Sequence, residues 1–286
     1  MIICRVNSSA MMQKMTPEAQ QIFEKIVYRS SAFALAALFI ALTLEKLFIM
    51  AGAAIYGYSV GISYKEVQVI ANPTSWHQES VLIIYLFPYL VQAIIIVFLY
   101  LNLQAQASKP GYLRILSLWV MFFITFRLLG MLPAHLVYKT SIYHAFNWLY
   151  LGLPFKIIIS TIGILLFFVV STRILKGILY FSATYNDHVR AIKLPGVIYS
   201  SLLIPVMVCC IISFLFYLPD LPKDEIIGTI VLAIVSLSIV ARLLFSRPEL
   251  FPKGEFVKEI YPPRQFFYIT LILIIAFRII LGIWFS

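Results

Sequence analysis

Residues 31–57 read SAFALAALFIALTLEKLFIMAGAAIYG, and Glu45 and Lys46 are the only charged side chains in the stretch. A helix rises 1.5 Å per residue, so roughly 20 mostly apolar residues cross the hydrocarbon core of a bilayer. The stretch is long enough to do so, and lipid offers no partner for backbone polar groups, which makes a helix the expected conformation. Six more segments have the same character: about 81–103, 114–133, 152–171, 197–218, 225–245 and 265–285. The whole chain agrees with them. Its 286 residues are 62% apolar or aromatic and 12% charged, with a mean hydropathy of +0.96. Soluble domains carry about 25% charged residues, so a soluble globular enzyme is excluded, as are disordered, collagenous and disulfide-stapled chains. The alternation of a membrane β-barrel is missing. The expected fold is all-α, a polytopic integral membrane protein of about seven transmembrane helices.

The connections set the expected orientation. Formal charge is +10, and its distribution is uneven. Arg5, Lys14, Lys25 and Arg29 precede the first span, Lys109 and Arg114 lie in the second connection, Arg173, Lys176, Arg190 and Lys193 in the fourth, and Arg247, Lys253, Lys258 and Arg264 in the sixth. Fourteen basic residues thus share one side, against Lys65, Lys139 and Lys223 on the other. This predicts an N-terminus inside and a C-terminus outside. It favours the lipid bilayer over nucleic acid as the partner of the positive charge. A bacterial inner (plasma) membrane is the expected location.

The domain organisation expected is a cytoplasmic segment and helix over 1–30, a four-span core over 31–171, a cytoplasmic amphipathic segment over 172–196 and a three-span part over 197–286. Thr16-Pro17-Glu18 reads as a helix start, with Thr16 as N-cap. Residues 64–70 alternate and predict a short strand or hairpin, Pro195-Gly196 a helix end, and the proline-rich 246–264 an ordered irregular loop. No cleavable signal peptide is expected, and Met11, Met12 and Met15 are alternative starts. Cys4, Cys209 and Cys210 are too few and too scattered for a disulfide framework or a cysteine metal site. Gln92, Asn102, Gln104 and Gln106 predict a polar face on the second span.

Ionisable groups inside spans are the first functional candidates. Glu45 lies 14 residues past Ser31, Arg127 13 past Arg114 and Arg278 14 past Arg264, all on spans of the same direction. All three therefore sit about 20 Å from the inner boundary. With Lys46 they form a candidate intramembrane charge cluster, which either lines a pathway or locks helices together while the remaining cations snorkel. Lys156 and Arg242 lie near span ends and can also snorkel. On the outer connections, His77, Glu79, His135, His144 and Trp148 form a candidate polar and aromatic site, with aromatic-belt character around 134–151. Asp187-His188 and Asp224-Glu225 read as solvated helix-end charges. No phosphate-binding glycine loop is present, and no mid-span histidine pair that would ligate haem.

The first span, ALFIALTLEKLFIMAGAAIYGYSV, resembles the first catalytic helix of site-2 proteases, the intramembrane zinc metalloproteases, in which H-E-x-x-H is followed by small residues, a glycine and a short strand. Trp119, Arg127 and HAFNWLYLGLP resemble the later helix pair of that family, and the likeness spans about residues 31–172. It implies a helical core around a zinc site. This chain keeps Glu45 but has Leu44 and Phe48 where the two zinc-ligating histidines stand, and residues 134–151 hold no carboxylate for a third ligand. Charge counting also puts 58–80 on the side opposite to the family's usual one. The resemblance therefore implies a pseudoenzyme with no catalytic residues, metal or cofactor. Three functions are expected in order: a non-catalytic accessory, scaffold or assembly subunit working with other membrane protein subunits; a transporter or channel for an anion or proton-coupled solute lined by Glu45, Arg127 and Arg278; and a membrane-embedded enzyme of the site-2 protease type or acting on lipid.

Overall fold

The computed structural model describes residues 16–63, 66–105, 111–184, 194–245 and 265–284. The expectations for Cys4, Arg5, Met11, Met12, Lys14, Met15, Tyr64, Lys65, Gln106, Lys109, Asp187, His188, Arg190, Lys193 and the 246–264 connection lie outside the described residues.

Helix α1 runs from Pro17 to Ile55. Its start is capped as the sequence predicts: Thr16 Oγ1 accepts the Ala19 N–H at 3.3 Å, and Pro17 opens the first turn, where its missing N–H costs nothing. Thirty-nine residues span about 58 Å, nearly twice the hydrocarbon thickness, and the helix is unbroken across the predicted 30/31 boundary. Ala32, Ala34, Ala37 and Ala41 are buried along it, and such small side chains let neighbouring helices approach closely. Strands β1 (Ser59–Ile62) and β2 (Val67–Ile70) then form an antiparallel hairpin with Ser59 opposite Ile70 and Ile62 opposite Val67.

Helix α2 (Gln78–Ala105) returns across the bundle. Helix α3 (Gly111–Thr125), a π turn at Phe126–Gly130 and α4 (Leu132–Tyr138) make one continuous span, the most enclosed of the bundle. Its core is aromatic: Trp119, Phe122 and Phe123 are fully buried and pack on one another, and Phe122 and Phe126 meet Phe167 of the next span. A short α5 (Ile142–Trp148) leads into α6 (Leu153–Thr184). Helix α7 (Leu194–Ile198), a second π turn at Tyr199–Leu203 and α8 (Ile204–Tyr217) form the next span, followed by α9 (Lys223–Phe245) and α10 (Gln265–Trp284).

Six spans among the described residues are long and apolar enough to cross a membrane: α1, α2, α3 through α4, α6, α7 through α8, and α9. The chain is a predominantly helical multi-pass membrane protein. The segment expected as a seventh span is the 20-residue α10, packed against α1. Exposed Ile157, Ile162, Leu165 and Val169 on α6 would be costly in water and suit a lipid-facing surface.

Two expectations change. Residues 172–184 do not open a separate amphipathic segment, as expected over 172–196, but continue α6, because no breaker separates Ser171 from Ile174. Pro195 and Gly196 sit within α7 near its start rather than closing a helix, since proline is tolerated in a first turn.

Candidate functional site

Arg127 lies in the π turn of the third span and is 7% exposed. A π turn holds one extra residue and rotates the following helix face. Arg127 and His135, eight residues apart, thereby line the same cavity. The Arg127 guanidinium is held from two sides. Its Nε donates to Glu45 Oε2 of α1 at 2.6 Å, and its Nη1 donates to Glu225 Oε1 of α9 at 2.7 Å. Both carboxylates are buried. Charge-assisted contacts this short are strong only if both partners are desolvated and well aimed, as here.

Glu225 corrects the sequence reading. It was expected to be a solvated helix-end charge, since acidic residues in a first helical turn are ordinarily in water. It points inward because α9 lies hard against the third span. Gly228, one turn on, has no side chain, and a Cβ there would come 2.0 Å from Met131 Sδ. That glycine was the available signal. Its neighbour Asp224 is half-buried, accepting from Thr140 Oγ1 at 2.9 Å.

His135 is a second correction. It was assigned to an outer connection, but the third span continues as helix to Tyr138, and His135 is 2% exposed. Its Nδ1 lies 3.0 Å from Thr140 Oγ1 and 3.8 Å from Asp224 Oδ2. The corner that carries Thr140 is unusual. Lys139 (φ 57°) and Ser141 (φ 49°) both adopt positive φ without being glycine, a strained backbone that is typical of functional sites. Ser141 Oγ is 3.0 Å from the Tyr89 hydroxyl.

These groups face a cavity of about 660 Å³, within the size range of small-molecule sites. Glu45, Arg127 and Glu225 form its floor, Tyr85, Tyr217 and His144 stand on its walls, and the exposed Glu66, Asp220 and Lys223 edge its mouth at the hairpin end of the bundle. The His144 ring packs at a tilt 5.1 Å from that of Tyr85, and its burial lowers the His144 pKa below the usual imidazole value.

Of the other expected site residues, Lys46 is at the cavity wall and donates to the Ser63 carbonyl at 3.2 Å, which ties α1 to the hairpin. Arg278 does not join the cluster: it is half-buried and donates to the Leu218 carbonyl. Its helix, α10, packs on α1, where Phe277 meets Phe39. His77 and Glu79 are exposed around the start of α2, outside the cavity lining. Trp148 is also outside that lining, and its carbonyl accepts from Gln78 Nε2 at 3.4 Å. Lys156, expected to snorkel, is buried, with its ammonium 4.2 Å from the Tyr143 ring centre. Among the described residues no group of three His, Cys, Asp or Glu is arranged to hold a metal ion.

Together these features define a multi-pass helical membrane protein with a polar cavity over an ion-paired floor. No family model, no curated protein and no solved structure matches the chain.

Glu45→Leu is expected to cost about 1–3 kcal/mol, the penalty of leaving one side of a buried donor unmet, because Arg127 retains Glu225. Melting in detergent measures this. A wild-type melting temperature would show that the Glu45–Arg127 contact contributes nothing.

Proposed function

We propose that the protein is a solute-binding membrane protein of the transporter class. It admits a small polar solute from the hairpin side to the Glu45–Arg127–Glu225 floor. The observation that carries this reading is the cavity that reaches ionised groups at membrane depth. Such groups are expensive, and they characteristically mark solute and proton pathways. Of the two solutes expected from the sequence, the anion loses its support. It needed two guanidiniums at one depth, and Glu225 stands where Arg278 was expected. A proton-coupled solute fits a floor of two carboxylates and one guanidinium.

The cavity favours this reading over a non-catalytic accessory subunit, whose motives were the missing catalytic constellation, connections with little chemistry of their own and a first helix without zinc ligands. The site-2-protease-like cadence remains a proposed ancestry. Leu44 and Phe48 flank Glu45 on α1, and a short hairpin follows the helix as the cadence requires. Seven spans with the N-terminus inside is the proposed topology, supported by the basic-residue asymmetry and by the apolar α10. On that topology the cavity opens to the outside, and a bacterial inner membrane is the proposed setting.

Cysteines placed at Leu42, deep in the wall, and at Lys223, on the rim, test the reading in a background without the native cysteines. A membrane-impermeant thiol reagent added from outside is expected to modify both. Modification of Lys223→Cys with no modification of Leu42→Cys would mean that the cavity is closed to water, and the reading would fall.

A further inference from the structure

The cavity wall carries a base that the ion-paired floor does not use. Thr140 Oγ1 has a single hydrogen and donates it to Asp224 Oδ2 at 2.9 Å, since a carboxylate only accepts. In the 3.0 Å contact between His135 Nδ1 and Thr140 Oγ1, the imidazole is therefore the donor. That fixes the neutral tautomer and leaves the lone pair on Nε2. Nε2 is buried and has no hydrogen-bond partner among the described residues. Buried polar atoms are nearly always satisfied, and an orphan calls for an explanation.

The charges around the ring supply one. Glu45 and Lys46 face it from α1, Arg127 from its own span, and Asp224 and Glu225 from α9. Tyr89 of α2, with its ring 6.4 Å away, and Tyr217 of α8 contribute hydroxyls rather than charges. Among the groups of the described residues that are not exposed, three carboxylates face two cations, which leaves one negative charge unmatched. The rim groups Glu66, Asp220 and Lys223 are exposed, so water and salt screen them. An unmatched charge at membrane depth requires a counter-charge. A proton on Nε2 provides it, and so does a monovalent cation in the cavity. Only one charge needs balancing, so the two exclude each other.

We infer that the cavity binds a small monocationic amine, and that binding expels one proton from His135 Nε2 to water at the cavity mouth. The imidazolium N–H bond breaks heterolytically, its electron pair stays on nitrogen, and the charge of the site is unchanged. This rests on the reading of the cavity as a solute site and adds the solute's class and the coupled ion.

The test is calorimetric titration of the detergent-purified protein with methylammonium chloride, in two buffers of different ionisation enthalpy. Over the range where His135 is protonated, one proton released per amine bound is expected, and apparent affinity is expected to rise about tenfold per pH unit. His135→Gln is expected to bind methylammonium with no proton release and a flat pH dependence. Proton release that persists in His135→Gln would overturn the exchange. Should that variant not fold, Glu225→Gln decides, because its amide oxygen still accepts from Arg127 while the unmatched charge is gone. Loss of methylammonium binding supports the inference, and unchanged affinity overturns it. If Leu42→Cys is modified from outside but methylammonium does not bind wild-type protein, the amine inference fails and the cavity reading stands.

Discussion

Arg127→Leu is expected to lower the melting temperature in detergent by roughly 6–15 °C, the equivalent of about 3–5 kcal/mol. The substitution removes one cation from between two buried carboxylates. Glu45 and Glu225 are then left facing each other, both buried, without the guanidinium that bridges them. The effect should exceed that of Glu45→Leu, which leaves one partner of the guanidinium in place. A triple variant with leucine at positions 45, 127 and 225 should recover most of the loss, because an apolar replacement of a complete buried ion cluster is often neutral or stabilising. Equal melting temperatures for Arg127→Leu and wild type would show that the cluster does not hold the spans together.

Gly52→Val is expected to destabilise by about 3 kcal/mol, the upper end of overpacking. An added Cβ at Gly52 would lie 3.1 Å from Ile84 Cα and 3.2 Å from the Ile83 carbonyl oxygen. Both are backbone atoms of α2 and cannot rotate away. The γ-methyls of valine would push α1 and α2 apart two turns from Glu45, on the face that Glu45 shares at helical spacing. Gly52→Ala should cost much less, since neighbours need give only a few tenths of an ångström. Comparison of the two melts checks this, and equal stability of Gly52→Val and wild type would show that the helices do not meet there.

Much of the fold was legible because membrane insertion is a one-dimensional problem. A run such as 31–57 must cross or lie in lipid whatever its neighbours do. The Thr16-Pro17 cap, the hairpin after Gly57 and the shared depth of Glu45 and Arg127 were likewise local facts. Helix ends were less legible. Helix α6 runs on to Thr184 and the third span to Tyr138, because hydropathy reports where lipid stops and not where hydrogen bonding stops.

The candidate site was half legible. Rise per residue puts Glu45, Arg127 and Arg278 level, but level groups meet only when their helices turn the same face inward. Glu225 reads as a solvated acid in a first helical turn, and only the close approach allowed by Gly228 turns it toward Arg127. His135 reads as a loop residue until the π turn at Phe126–Gly130 is known to carry the helix past it.

By itself, then, the sequence determined the solvent, the helical class and the shared level of Glu45 and Arg127, because these follow from composition and rise along the chain. Tertiary structure alone decided which charges pair, that Glu225 rather than Arg278 completes the floor, and that a cavity stands above it. Those outcomes depend on the rotation of each helix about its axis and on the spacing between axes, which are set by contacts between residues far apart in the chain.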